Sequence, residues 1–255
     1  MKPHILPLEP GAEVEPRSSF FSLSSAIYAV LSLEGDVVSL CGSAIAISER
    51  HLITFSSTLS RVSSDSLNIS VTNHPQLRGQ LLSVQVKAIG RSNVLNHVPS
   101  DVQCLIPKVL KVDSQNRNVD DLMLLQAAKE EILTPISQEL VTNQFTTSPT
   151  ESTPPKVSVI GYSSPFAVTT DEFSRESQEA MLDFIKCLRG HPRKMFFDDI
   201  LVEKDDEGRL CLLNFVPDVH LTGGVVVVKS GGIRAIGLVN DVSRGLVFVS
   251  FWNFV

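Results

Sequence analysis

The segment Leu221-Thr222-Gly223-Gly224, followed by the apolar run Val225 to Val228, sets a hydroxyl side chain ahead of two glycines and a strand-like stretch. The chemistry open to such a hydroxyl is acyl transfer. An alcohol is a poor nucleophile at neutral pH, so it needs a base within hydrogen-bond reach. It also needs donors aimed at the developing oxyanion, and a carboxylate that holds a histidine base in the right tautomer. Asp121, in Val119-Asp120-Asp121-Leu122-Met123-Leu124-Leu125, could simply begin a strand at a solvated end. The histidines fit the base role poorly. His51 follows Glu49-Arg50 and suits a turn between strands, while His74 precedes a proline and His97 sits in a polar stretch, both as surface residues. His220 lies close to Thr222 but is expected to point away from it on a strand-like segment.

Elements that would position these residues follow from composition and pattern. The 255 residues are 43% hydrophobic and 20% charged, enough for one or two domains with their own cores. A net charge of −6 without a basic cluster offers no attraction to nucleic acid or an anionic membrane. Cys41, Cys104, Cys187 and Cys211 lie far apart without metal-ligand spacing, so they read as buried thiols. No metal and no organic cofactor is expected. Phe20 to Leu33 is apolar, but Glu9, Glu13 and Glu15 precede it where a signal peptide carries positive charge. It is also too short to span a bilayer. A cytoplasmic location is the expectation.

Residues 1–18, with Pro3, Pro7, Pro10, Pro16 and three glutamates, read as an extended arm. Residues 19–126 read as a first antiparallel barrel. Ala26 to Leu33 and Val37 to Ser48 flank the turn Glu34-Gly35-Asp36 as a hairpin. Short β-branched runs follow at Leu67 to Val71, Leu81 to Ile89 and Val109 to Val112. Residues 127–155 turn polar and end in a Thr, Ser and Pro-rich tract, a surface linker. Residues 156–255 read as a second β unit opening at Val157 to Tyr162. Within it, Asp171 to Arg189 spaces Phe173, Ala180, Met181, Phe184, Ile185 and Leu188 at three- and four-residue steps. This predicts a helix, with Asp171 as its cap and Gly190 and Pro192 beyond its end. Ile200 to Val202 and Leu210 to Leu213 flank a charged turn as another hairpin.

Three blocks, in order, resemble the trypsin-like serine peptidase family. Leu40-Cys41-Gly42-Ser43-Ala44-Ile45 with Leu52-Ile53-Thr54-Phe55-Ser56-Ser57-Thr58 is similar to the family's Cys-Gly-Gly-Ser-Leu-Ile strand and Leu-Thr-Ala-Ala-His-Cys segment. Val119 to Leu125 resembles Asn-Asp-Ile-Ala-Leu-Leu, and the Thr222 block resembles Gly-Asp-Ser-Gly-Gly-Pro. Ala235 to Val239 is similar to the strand that lines the substrate cleft, and the closing Asn253-Phe254-Val255 to Asn-Tyr-Val.

The resemblance implies an all-β fold of two antiparallel six-stranded barrels, and the helical insertion, 171–189, in the second is larger than is usual in the family. It also implies a degraded site. The family's histidine falls on Ser57, its aspartate on Asp121 and its serine on Thr222. The oxyanion-hole glycine becomes His220, the aspartate that receives the freed amino terminus becomes Leu221, and the specificity position becomes Val216. With Leu238 and Val239, Val216 would leave an apolar remnant cleft able to hold a peptide strand. The family's disulfide from the Cys41 position would end at Thr58, so that bridge is lost, which favours a reduced setting. The expected function is an inactive relative that binds a protein or peptide. Two alternatives stand beside it: a peptidase using Thr222 with an unaligned base, and an adaptor acting through helix 171–189 or the arm.

Overall fold

The computed structural model describes residues 4–7, 17–34, 37–59, 69–77, 83–90, 122–142, 155–164, 191–204, 210–213, 218–229, 232–243 and 246–251. Six strands close a first barrel: β2 (Ile27–Glu34), β3 (Val37–Ala46), β4 (His51–Phe55), β5 (Ile69–Thr72), β6 (Val84–Gly90) and β7 (Leu122–Ala127). Their order round the barrel is β2-β3-β4-β7-β6-β5, every pairing antiparallel. The expected β2–β3 hairpin is present, with Ile27 opposite Ile45 and a bulge at Val30/Leu31.

The second sheet holds β1 (His4–Pro7), β8 (Lys156–Ser163), β9 (Arg193–Lys204), β10 (Leu210–Leu213), β11 (Val225–Val228), β12 (Arg234–Ser243) and β13 (Leu246–Phe251). In the order β1-β9-β10-β13-β12-β11-β8 it curls round until β8 also pairs with β9. β1 remains as an added edge strand, and the β9–β10 hairpin stands where the sequence suggests one. The chain thus has the all-β, two-barrel architecture of the trypsin-like fold. The expected helix 171–189, the strand at 109–112 and the tract 143–154 lie outside the described residues.

Side-chain alternation explains why β2 is apolar on both faces. Tyr28 and Val30 join a cluster drawn from all six strands of the first barrel, including Cys41, Leu52, Val71, Val86 and Leu125. Ile27, Ala29 and Leu31 point the other way, into a cluster shared with Ile160, Phe196, Val225 and Leu238 of the second barrel. A strand buried on both faces carries no polar alternation, and at Ser32 even the serine is buried.

Two features depart from the sequence reading. Arg17–Ser25 forms a helix, α1, ahead of β2. It turns Phe20 and Leu23, three residues apart, into the shared core and leaves Phe21 exposed. The described part of the expected linker, up to Thr142, is packed. Leu133, Ile136, Leu140 and Val141 are buried there, and a 3-10 turn covers Gln138–Leu140. This stretch bonds to the first barrel through Ile136 N–H to Ala46 O, 2.8 Å, and to the second through Thr142 N–H to Ala235 O, 2.9 Å. None of the described helices is long and apolar enough to cross a membrane.

Candidate functional site

The loop from Asp218 to Gly224 enters β11 through a 3-10 turn at Val219–Leu221, not through a strand. Residues two apart on a strand would in any case share a face, so strand alternation is no reason for His220 and Thr222 to part. Leu221 N–H donates to Asp218 O at 2.9 Å and Gly224 N–H to Leu221 O at 2.7 Å. Asp218 is fully buried, and its carboxylate organises the turn. One oxygen accepts from the Ser163 hydroxyl and, at 3.1 Å, from Ser164 N–H. The other accepts from His220 N–H at 2.9 Å and meets His220 Nδ1 at 3.1 Å. An Asp side chain bonding the backbone two residues on is an Asx-turn, which Pro217-Asp218 favours in sequence.

Gly223 has φ of +83°, and a Cβ there would lie 1.9 Å from Ser43 O and 2.7 Å from Thr54 Oγ1. Only glycine allows both this conformation and this approach. Ser43 is the hub of the contact. Its N–H donates to Thr222 O at 2.9 Å. Its hydroxyl donates to His220 O at 3.2 Å and accepts from Tyr162 N–H at 2.8 Å. Thr54 Oγ1 donates to Ser43 O at 2.7 Å and lies 3.0 Å from Thr58 Oγ1. The Gly42 strand, the Thr54–Thr58 turn and the Thr222 loop therefore meet at one place between the barrels. Ser57 belongs to the helical turn α2, Ser56–Leu59, directly after β4. β7 starts at Leu122 opposite Phe55, beside that turn. Asp121 itself, and Val216, lie outside the described residues.

Charges and donors limit what this arrangement can do. A serine hydroxyl at 57 has no useful basicity near neutral pH, and Thr222 is 1% exposed. His51 starts β4, at the opposite end of the strand from Ser57, with Nδ1 2.9 Å from Ser48 Oγ. His74 is exposed and its Nδ1 meets Gln76 O at 2.7 Å; His97 lies outside the described residues. Leu238 and Val239 are fully buried in β12. The main chain of Val239 is taken up by Gly223 N–H and Gly224 O, both at 2.8 Å. Cys41 and Cys211 are buried. Among the described residues no group of His, Cys, Asp and Glu could hold a metal ion.

Asp218 is the site residue that sequence reasoning missed. Its Asp-x-His spacing was visible, but its burial depends on Ser163 and Ser164, 55 and 54 residues away.

No protein-family model matches the chain, and no curated protein matches it. Several solved structures are similar at low identity. A serine-to-alanine mutant of Rv3671c from M. tuberculosis, in an inactive form, is 15% identical over 95% of this chain and 92% of its own, with a TM-score of 0.46. The MamO protease domain from Magnetospirillum magneticum, in its apo form, is 12% identical over 91% and 93%, with a TM-score of 0.47. The protease of tobacco vein mottling virus is 9% identical over 96% and 82%, with a TM-score of 0.47. The two-barrel assignment stands on the strand pairings of the chain itself.

Proposed function

We propose that this protein is an inactive relative of the trypsin-like peptidases that acts by binding a protein or peptide. One observation carries the reading. The His220 N–H, aligned with an oxyanion-hole donor, is held by the Asp218 carboxylate at 2.9 Å. An oxyanion hole works only when its donors face the place where charge develops. Here a resident carboxylate already holds that donor, and a second negative charge beside it would be repelled. Ser57 in place of a base acts in the same direction. A fluorophosphonate probe, with an active trypsin-like enzyme as control, tests this reading. No labelling of the folded protein and no peptide hydrolysis is expected. Labelling that vanishes in Thr222→Ala would overturn it.

The Asp218–His220 pair favours a second reading, a hydrolase using Thr222. A carboxylate on Nδ1 leaves Nε2 as the basic nitrogen, which is the base-and-orienter half of a triad. On this reading His220→Ala abolishes probe labelling while Ser57→Ala leaves it intact. The 171–189 helix and a cytoplasmic setting remain part of the proposal through the sequence alone.

A further inference from the structure

β12 changes partners at Val239. Up to Leu238 it pairs with β11, Val225 lying opposite Leu238. At Val239 the Thr222 loop takes over, through Gly223 N–H to Val239 O and Val239 N–H to Gly224 O, both 2.8 Å. Along its other edge β12 pairs with β13, with Val239 opposite Val249 and Asp241 opposite Phe248. Asn240 has no counterpart in that register and is the extra residue of a β-bulge. Bulges of this kind re-aim a side chain beside a site. Asn240 is 8% exposed, and its side-chain oxygen is buried with no hydrogen-bond partner among the described residues. A buried acceptor left unpaired destabilises a fold, so packing gives no reason for an amide here.

Turning the carboxamide over does not cure the defect. Its terminal torsion is two-fold, and a half-turn exchanges oxygen and nitrogen at little steric cost. A buried N–H would then stand where the oxygen stood, equally unpaired. The same half-turn frees the oxygen from its closed position and presents it on the far side of the amide.

We propose that Asn240 reads a bound ligand, its carboxamide oxygen accepting a hydrogen bond from the N–H of a peptide unit held beside the Thr222 loop. The inference deepens the peptide-binding reading above and rests on it. A neutral amide suits the position better than an ammonium or guanidinium group, because one neutral oxygen does not offset the desolvation of a full charge. A carboxylate or phosphate has no N–H to give, and it would meet the negative charge of Asp218 in the same loop.

N-methylacetamide, a single peptide unit, is the probe, titrated into the nitrogen-15-labelled full-length protein and followed by NMR. Saturable shifts of the Asn240 side-chain amide and of the Gly223 and Val239 main-chain amides are expected. N,N-dimethylacetamide, which lacks the N–H, should produce none of them. Asn240→Ala and Asn240→Leu should both abolish the response at Gly223 and Val239. At least one of the two should have a Tm within about 3 °C of the wild type or above it, since the buried oxygen gives up no native hydrogen bond. Equal responses to the two probes, no response to either, or a response that survives in the variants would overturn the proposal. So would a larger fall in Tm in both variants, because the amide would then be holding the fold. A failed titration leaves the fluorophosphonate result on Thr222 untouched, so the two readings fail separately.

Discussion

Gly223 and Gly42 both face a crowded seam, yet what crowds them differs in kind. At Gly223 a Cβ would strike the Ser43 carbonyl, which is backbone, in a conformation with φ of +83°. At Gly42 the nearest atoms, 2.7 and 3.0 Å away, belong to the Thr58 side chain. Gly223→Ala is therefore expected to cost about 3 kcal/mol or more, left-handed strain and overpacking together. Gly42→Ala should cost less, about 1–2 kcal/mol, since its closest neighbour is a side chain and the Thr222 carbonyl lies back at 3.2 Å. Urea unfolding of both variants measures the difference, and equal losses would refute the backbone-clash account. Asp218 is the other decisive side chain, since four donors converge on one buried carboxylate. Asp218→Asn should lower stability by about 1.5–3 kcal/mol, the usual size of a hydrogen bond to a charged group. Paired with the Asp218 carboxyl at 3.1 Å, a neutral His220 ring is expected to carry its proton on Nδ1. Nitrogen-15 shifts of the imidazole would read that tautomer, and an Nε2-protonated neutral ring would contradict the pairing.

β9 ties α1 and the first barrel to the second. Its Phe196 meets Phe20 of α1 edge-to-face at 5.3 Å. Its Lys194 sends a fully buried amine to Ser24 O at 2.6 Å and Asn73 O at 3.1 Å, over the Tyr162 ring. Tyr162, on β8, donates to His74 O at 2.9 Å. Burial, and secondarily the nearby Tyr28, pushes the Tyr162 hydroxyl well above its ordinary value. Burial lowers Lys194 to about 7 from 10.5. Between those two values the unfolded chain binds a proton that the folded chain releases. Stability attributable to Lys194 therefore rises with pH over that window, and the dependence ends below about 7, where both states are protonated. Lys194→Met should remove this rise. Chemical denaturation of both proteins from pH 7 to 10 checks it, and parallel pH profiles would refute it. Phe20→Ala, which empties the α1 contact, should cost about 3 kcal/mol or more by the same assay.

The barrels share more than a linker. One apolar cluster runs from Ile27, Ile45 and Phe55 to Ile160, Val225 and Leu238. Main-chain bonds cross the seam on both sides. Ser43 reaches Thr222 O on one, and Lys194 N–H reaches Pro75 O while Leu77 N–H reaches Pro192 O on the other. Neither barrel can lose its fold without exposing part of this common core. Calorimetry should accordingly show one unfolding transition with equal calorimetric and van't Hoff enthalpies. Two separated transitions would mean that the barrels are energetically independent.

Local pattern was enough to read many of the strands and hairpins, though not β1 or the first part of β9. β2 and β3 around Glu34-Gly35-Asp36, β8 at Val157 and the β9–β10 hairpin announce themselves through β-branched runs and turn residues, which act over a few neighbours. The blocks around Gly42, Thr54 and Thr222 likewise carried the two-barrel fold in their order. α1 was hidden because Ser18, Ser19, Ser22, Ser24 and Ser25 give it little intrinsic helix preference. It forms where Phe20 and Leu23 find the second barrel, a contact that no local window contains. The same holds at the candidate site. Sequence named Ser57 and Thr222, since those are questions of residue type. Only the tertiary structure buried Asp218 beneath Ser163 and Ser164, turned the His220 N–H onto it and set Ser43 against Gly223. Hydrogen bonds and close approach depend on where distant segments meet, and that is decided by the packing of one barrel on the other.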